Sequence, residues 1–106
     1  MDGVDREPQT TIEPSTDGGS TLVRISGELD LATVPVVERE LDAIAHEPPA
    51  RVVFDLSAVS FMDSSGIAML LRVAERAESV TVRNASVPVQ TVIRATGLEA
   101  VLGTDA

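Results

Sequence analysis

The chain contains no cysteine, tryptophan or tyrosine, and although eight of its residues are basic, none is lysine. Without cysteine there is no disulfide framework, no thiolate metal site and no thiol nucleophile. Without lysine, Schiff-base catalysis and a Walker-type phosphate lysine are excluded. Aromatic residues are only 2% of the 106, so the core must be aliphatic, with Phe54 and Phe61 as its only rings. Positive charge is scarce as well: eight arginines face 17 acids, for a formal net charge of −9. Nucleic acid and anionic membranes are therefore poor partners, because phosphate contacts need clustered cations. No apolar run approaches the ~20 residues of a membrane-spanning helix, and no signal-peptide core follows Met1. The default is a soluble cytoplasmic protein with room for one sizeable core.

The remaining composition is arranged in order along the chain. Residues 1–9 form an acidic arm with too little apolar surface to offset ordering, and residues 10–106 form the domain. Thr10 to Glu13 reads as a short edge strand, antiparallel to the next if Asp17-Gly18-Gly19 closes a hairpin. Thr21 to Ser26 alternates in polarity and favours β structure; it stops at Gly27-Glu28-Leu29-Asp30. Thr33 is placed to cap a helix with Pro35 in its first turn, and the helix runs to about His46, burying Val34, Val37, Leu41, Ile44 and Ala45. Pro48-Pro49 ends it.

Arg51 to Leu56 is a short apolar run bounded by turn formers, the mark of a central strand covered on both faces. Asp55 is out of place there, and its expected role is to accept hydrogen bonds from the following loop. That loop begins at Ser57 and passes Val59 and Phe61 into a helix from about Ser64 to Glu78. Val80 to Asn84 is a further strand, and Ser86-Val87-Pro88 opens a helix with Val89, Val92 and Ile93 on its apolar face. Gly97 is the expected left-handed residue after its last turn. Leu98 to Leu102 is expected to add one helical turn. The class is α/β: a small, mostly parallel central sheet with right-handed crossovers and helices packed on it. In such a sheet the loops Gly27–Asp30 and Asp63–Gly66 meet at the carboxyl edge of the strands, where functional groups gather.

The most informative stretch is Ser60-Phe61-Met62-Asp63-Ser64-Ser65-Gly66-Ile67. Apolar residues at Ile67, Leu70, Leu71, Ala74 and Ala77 form one helical face, which puts Asp63, Ser64 and Ser65 at a helix start. Unpaired N–H groups and the positive end of the helix dipole favour oxygen acceptors and negative charge there. One reading is an ordinary cap by Asp63 or Ser64. The other is a hydroxyl presented for modification, with Gly66 letting another molecule approach the backbone. A serine hydrolase fits poorly: Asp63-Ser64-Ser65-Gly66-Ile67 has one of the two glycines of a nucleophile elbow, and His46 sits at the far end of a helix. No EF-hand, HExxH, GxGxxG or P-loop spacing occurs. The chain is expected not to be an enzyme and to need no metal or cofactor. A phosphate on Ser65 would add about −1.5 to −2 charges without melting the helix, changing the binding surface and sparing the fold.

In combination, Ile25-Ser26-Gly27-Glu28-Leu29-Asp30, Val53-Phe54-Asp55-Leu56-Ser57 and Phe61-Met62-Asp63-Ser64-Ser65-Gly66 resemble the STAS domain of bacterial anti-sigma factor antagonists. Asn84-Ala85-Ser86 and Thr96-Gly97-Leu98 also resemble family positions, so the likeness covers roughly Thr10 to Leu102. The resemblance implies a partner-switching protein. Its unphosphorylated form binds an anti-sigma factor that is also a serine kinase, which frees a sigma factor. The kinase, using Mg-ATP, phosphorylates the antagonist and ends the interaction; a PP2C-like serine phosphatase restores it. The acceptor implied is Ser65, with Asp30, Asp63, Ser64, Gly66 and Met62 at the partner surface. The alternative within the family is an interaction or scaffold module that is not phosphorylated, either part of a stress-sensing complex or a nucleotide-binding domain.

Overall fold

A computed structural model describes residues 8–14, 19–45, 50–98 and 103–105. The chain runs β1 (Gln9–Pro14), β2 (Ser20–Leu29), α1 (Val34–Ala45), β3 (Arg51–Met62), α2 (Ser64–Arg76), β4 (Ser79–Arg83), α3 (Val87–Thr96) and β5 (Gly103–Asp105). The five strands lie in sequence order in one sheet. β1 pairs antiparallel with β2, and β2, β3, β4 and β5 are mutually parallel. The expected α/β class, mixed sheet and order of elements are all present. β5 was not anticipated, because Gly103-Thr104-Asp105 carries no β-branched or aromatic pattern beyond one threonine. The expected arm falls mostly on residues 1–7, and the expected turn over Leu98–Leu102 on 99–102; both lie outside the described residues. So do His46 and the side chains of Ile44 and Ala45.

The alternation of the strands explains where the core sits. Thr21, Val23 and Ile25 of β2, Val52 and Phe54 of β3, and Val80 and Val82 of β4 are buried and share one face through their pairing register. Onto the core they begin, α1 brings Val34, Val37 and Leu41, α2 brings Ile67, Met69 and Leu70, and α3 brings Val89 and Ile93. On the opposite face Leu22, Val53 and Thr81 are half-buried while Arg24 and Arg83 are exposed. The central strand is therefore fully covered on one face only, a correction to the reading of its continuous apolar run.

Two strands are longer than their sequence patterns indicate. β3 continues past Leu56 to Met62, and β2 continues through Gly27 to Leu29. The cause is a pair of bulges: Arg24 pairs with Asp55 and Ser26 with Ala58, then Gly27 with Val59 and Glu28 with Phe61. Each step inserts one extra residue on β3, which shifts its alternation and bends the strand. Buried positions consequently fall three apart, at Leu56, Val59 and Met62, a spacing that imitates neither a strand nor a loop. Gly27 lies beside the second bulge with φ of 100°, a conformation that suits glycine.

Candidate functional site

β2, β3 and β4 run parallel, so the segments that leave them share one edge of the sheet. The turn after β2 is organised by Asp30. Its Oδ1 accepts hydrogen bonds from the N–H groups of Ala32 (2.9 Å) and Thr33 (3.0 Å), while its carbonyl accepts from Val34 N–H at 2.9 Å. Thr33 occupies the expected capping position, but its hydroxyl turns back into the loop. It donates to the Glu28 carbonyl (2.6 Å) and accepts from the Asp30 N–H (2.9 Å). Asp30 and Thr33 thus brace one another across the turn. The Asp-x-x-Thr spacing was the signal available for this.

The segment after β3 is held against that turn. Asp63 N–H donates to the Leu29 carbonyl at 3.1 Å, extending the pairing of Leu29 with Met62 by one bond. Asp63 then caps α2: its Oδ1 accepts from Ser65 N–H at 2.8 Å. A carboxylate there satisfies an otherwise unpaired donor and complements the helix dipole. The two loops expected to meet at the carboxyl edge do so.

Ser64 is exposed and Ser65 half-buried. Among the described residues the Ser65 hydroxyl makes no hydrogen bond, while no buried side-chain polar atom lacks one. The Ser65 oxygen is therefore not fully buried. Gly66 is buried, and its role differs from the one expected. A Cβ there would meet Met62 Cγ at 2.8 Å, Met62 Cε at 3.1 Å and Leu29 Cβ at 3.2 Å. The missing side chain makes room for this chain's own core, and no outside molecule approaches through that space. Met62 is only 3% exposed, so its side chain supports the loop from beneath. Among the six residues assigned to the site, Asp30, Asp63, Ser64 and Ser65 line the edge, and Met62 and Gly66 form its floor.

Asp55 lies one face away, beside the first bulge. It accepts from the N–H (3.1 Å) and hydroxyl (2.8 Å) of Ser57 and from Asn84 Nδ2 at 3.4 Å, with Arg24 Nε at 3.9 Å. Burial pushes its carboxyl pKa up, but the hydrogen bonds of Ser57 and Asn84 and the charge of Arg24 outweigh it and hold the pKa below the ordinary 3.8. The structural role expected for Asp55 is borne out, although the donor Ser57 belongs to the same strand. The segment after β4 is tied in likewise: the Ser86 hydroxyl donates to the Val59 carbonyl at 2.6 Å. Asn84 turns the chain with a positive φ of 54°, which asparagine tolerates better than most residues. Among the described residues no cluster of acids and histidines is placed to hold a metal ion. None of their helices is long and apolar enough to cross a membrane.

The chain as a whole has relatives. The family described as Mlab, STAS domain matches residues 12–103. The chain belongs to the STAS-domain family. Among its relatives is the anti-sigma-F factor antagonist RsfB of Mycobacterium tuberculosis, 32% identical over 66 residues, or 62% of this chain and 54% of that protein. An anti-sigma F factor antagonist of Paenibacillus polymyxa is 39% identical over 61 residues, covering 57% of this chain and 52% of its own. The chain thus matches about half the length of these curated relatives. The crystal structure of an anti-sigma factor antagonist from Mycobacterium paratuberculosis superposes with a TM-score of 0.85 at 28% identity, covering 96% of this chain and 88% of that one. The STAS domain read from the ordered motifs is thereby established.

Proposed function

We propose that this STAS domain is an anti-sigma factor antagonist switched by phosphorylation of Ser65. Unphosphorylated, it binds an anti-sigma factor that is also a serine kinase, which releases a sigma factor. Phosphorylated, it lets go, and a PP2C-like phosphatase resets it. The observation that carries the reading is the Ser65 hydroxyl: not fully buried, without a hydrogen bond among the described residues, and at a helix start where the serine's own N–H is held by the Asp63 carboxylate. The names of the relatives support the choice of partner.

A phosphate at Ser65 introduces about −1.5 to −2 charges and three acceptor oxygens beside Asp63. The helix dipole accommodates the charge, so the fold persists while a partner surface packed against the small neutral hydroxyl meets the bulk of the phosphate and the cost of desolvating its charge. The chain itself contributes no catalysis in this scheme; it is the substrate of one enzyme and then of another. Incubation with the cognate anti-sigma factor kinase and Mg-ATP, followed by peptide mapping, tests the assignment. One phosphate on Ser65 is expected. Modification of Ser64 alone, or of no residue, contradicts it and favours the unphosphorylated scaffold reading.

A further inference from the structure

We propose that Leu31 and Phe61 are the apolar anchors by which this edge of the sheet grips its protein partner, a role that presupposes the anti-sigma factor interaction proposed above. Three large hydrophobic side chains are exposed among the described residues: Leu31 at 80%, Phe61 at 47% and Val87 at 73%. Two of them are placed together. Leu31 lies in the turn that leaves β2, Phe61 is the penultimate residue of β3, and Val87 begins the helix that follows β4. β2 and β3 end side by side at Leu29 and Met62, so Leu31 and Phe61 stand at the edge that carries Ser65, whereas β4 ends earlier, level with Asp55. Isolated exposed hydrophobics need no explanation, but a pair gathered at one functional edge of a small domain marks an interaction surface.

Leu31 and Phe61 are bound most directly to the switch. The Leu29–Met62 pairing and the Asp63 N–H bond to the Leu29 carbonyl fix the two segments to each other. Leu31 is two residues from one end of that link, and Phe61 is two residues from the other. The bulge before Phe61 sets its side chain outward while Met62 turns into the core. Leu31 is carried on a turn braced by Asp30 and Thr33, so presenting it costs little ordering on binding. Leu31, 80% exposed, contributes little packing to the fold.

The occupant this edge fits is a protein surface with an apolar hollow ringed by cations. Asp30 and Asp63 flank the anchors, and the chain as a whole carries a formal charge of −9, so a basic rim is complementary. The apolar anchors then supply affinity, and the Ser65 hydroxyl at the same edge decides whether that affinity is realised. Buried anchors at the centre of an interface commonly dominate its energy, whereas rim charges contribute mainly to association rate.

Calorimetric titration of the purified cognate anti-sigma factor into the full chain tests this, using wild type, Leu31→Ser and Phe61→Ser. Each variant is expected to bind at least about tenfold more weakly, with a less negative heat-capacity change of binding because less apolar surface is covered. Circular dichroism checks the fold; should Phe61→Ser melt, Leu31→Ser decides the matter, since a side chain that is 80% exposed carries little packing. Wild-type affinity in a folded Leu31→Ser overturns the inference and leaves the partner assignment standing. A folded wild-type chain that does not bind the anti-sigma factor overturns the partner assignment itself, and the anchors with it.

Discussion

Gly66→Ala is the most demanding small change that can be made at this site. Three atoms lie within 3.2 Å of the Cβ it introduces, two of them on Met62 and one on Leu29. Met62 Cγ, at 2.8 Å, is near the backbone and cannot swing clear as a side-chain tip would. Leu29 Cβ is held by its strand. Overpacking of this kind costs about 1–3 kcal/mol. Alanine's better helix propensity returns up to about 1 kcal/mol, less so in a first turn. The expected net loss is about 1–2 kcal/mol, which for a domain of this size lowers the thermal midpoint by on the order of 5–10 °C. Thermal unfolding followed by circular dichroism measures it, and a double-mutant cycle with Met62→Ala assigns the cause. In the Met62→Ala background the added methyl should cost markedly less, the remaining close contact being Leu29 Cβ at 3.2 Å. An unchanged or higher midpoint for Gly66→Ala alone would refute the packing argument and return Gly66 to a role in external contacts.

Other consequences follow from individual bonds. Asp30→Ala removes the acceptor for two turn N–H groups and should cost about 1 kcal/mol, as the loss of a capping side chain does; unchanged urea unfolding would show that the turn holds without it. Asp55 has a folded pKa below its unfolded value, so its stabilisation is full above the unfolded value and is lost as pH falls through the folded one. Asp55→Asn should therefore flatten the acid side of the stability profile, and an identical profile would deny Asp55 that part. Arg72 pairs with Glu38 at 2.6 Å, but both side chains are substantially exposed; Arg72→Gln should shift stability by less than about 1 kcal/mol, with a larger loss indicating that the pair locks α1 to α2.

Much of this was legible in the residues, and the failures have identifiable causes. Helix ends were readable because their signals are local: Asp63 before Ser64, Pro88 in the first turn of α3, and Gly97 with its left-handed φ of 69°. The antiparallel β1 followed from a strand-like run before Asp17-Gly18-Gly19, residues that read as a turn in the sequence. The carboxyl half of β3 was read as a loop because two bulges displaced its burial from every second residue to every third. That displacement depends on the partner strand, so no periodicity within β3 announces it. Thr33 was read as a cap from its position, whereas its hydroxyl faces the loop because the Glu28 carbonyl lies within 2.6 Å. Met62 belonged to the right motif but to the wrong side of it: in a strand, neighbours point to opposite faces, and the bulge decided that Phe61 faces out and Met62 in. Leu31 carried a usable signal, an apolar residue in a turn where no helical or strand periodicity requires one.

The switch itself is tested most directly by the affinity of one anti-sigma factor for four forms of this chain: wild type, Ser65→Ala, Ser65→Asp and protein phosphorylated on Ser65. Calorimetry supplies the affinities, and circular dichroism shows that all four are folded, as expected for a half-buried residue at a helix start where negative charge is favoured by roughly 0.3–1 kcal/mol. Wild type and Ser65→Ala should bind alike, Ser65→Asp more weakly, and the phosphoprotein weakest of all, because aspartate supplies less charge and fewer acceptor oxygens than phosphate. Equal affinity for all four folded forms would contradict the switch.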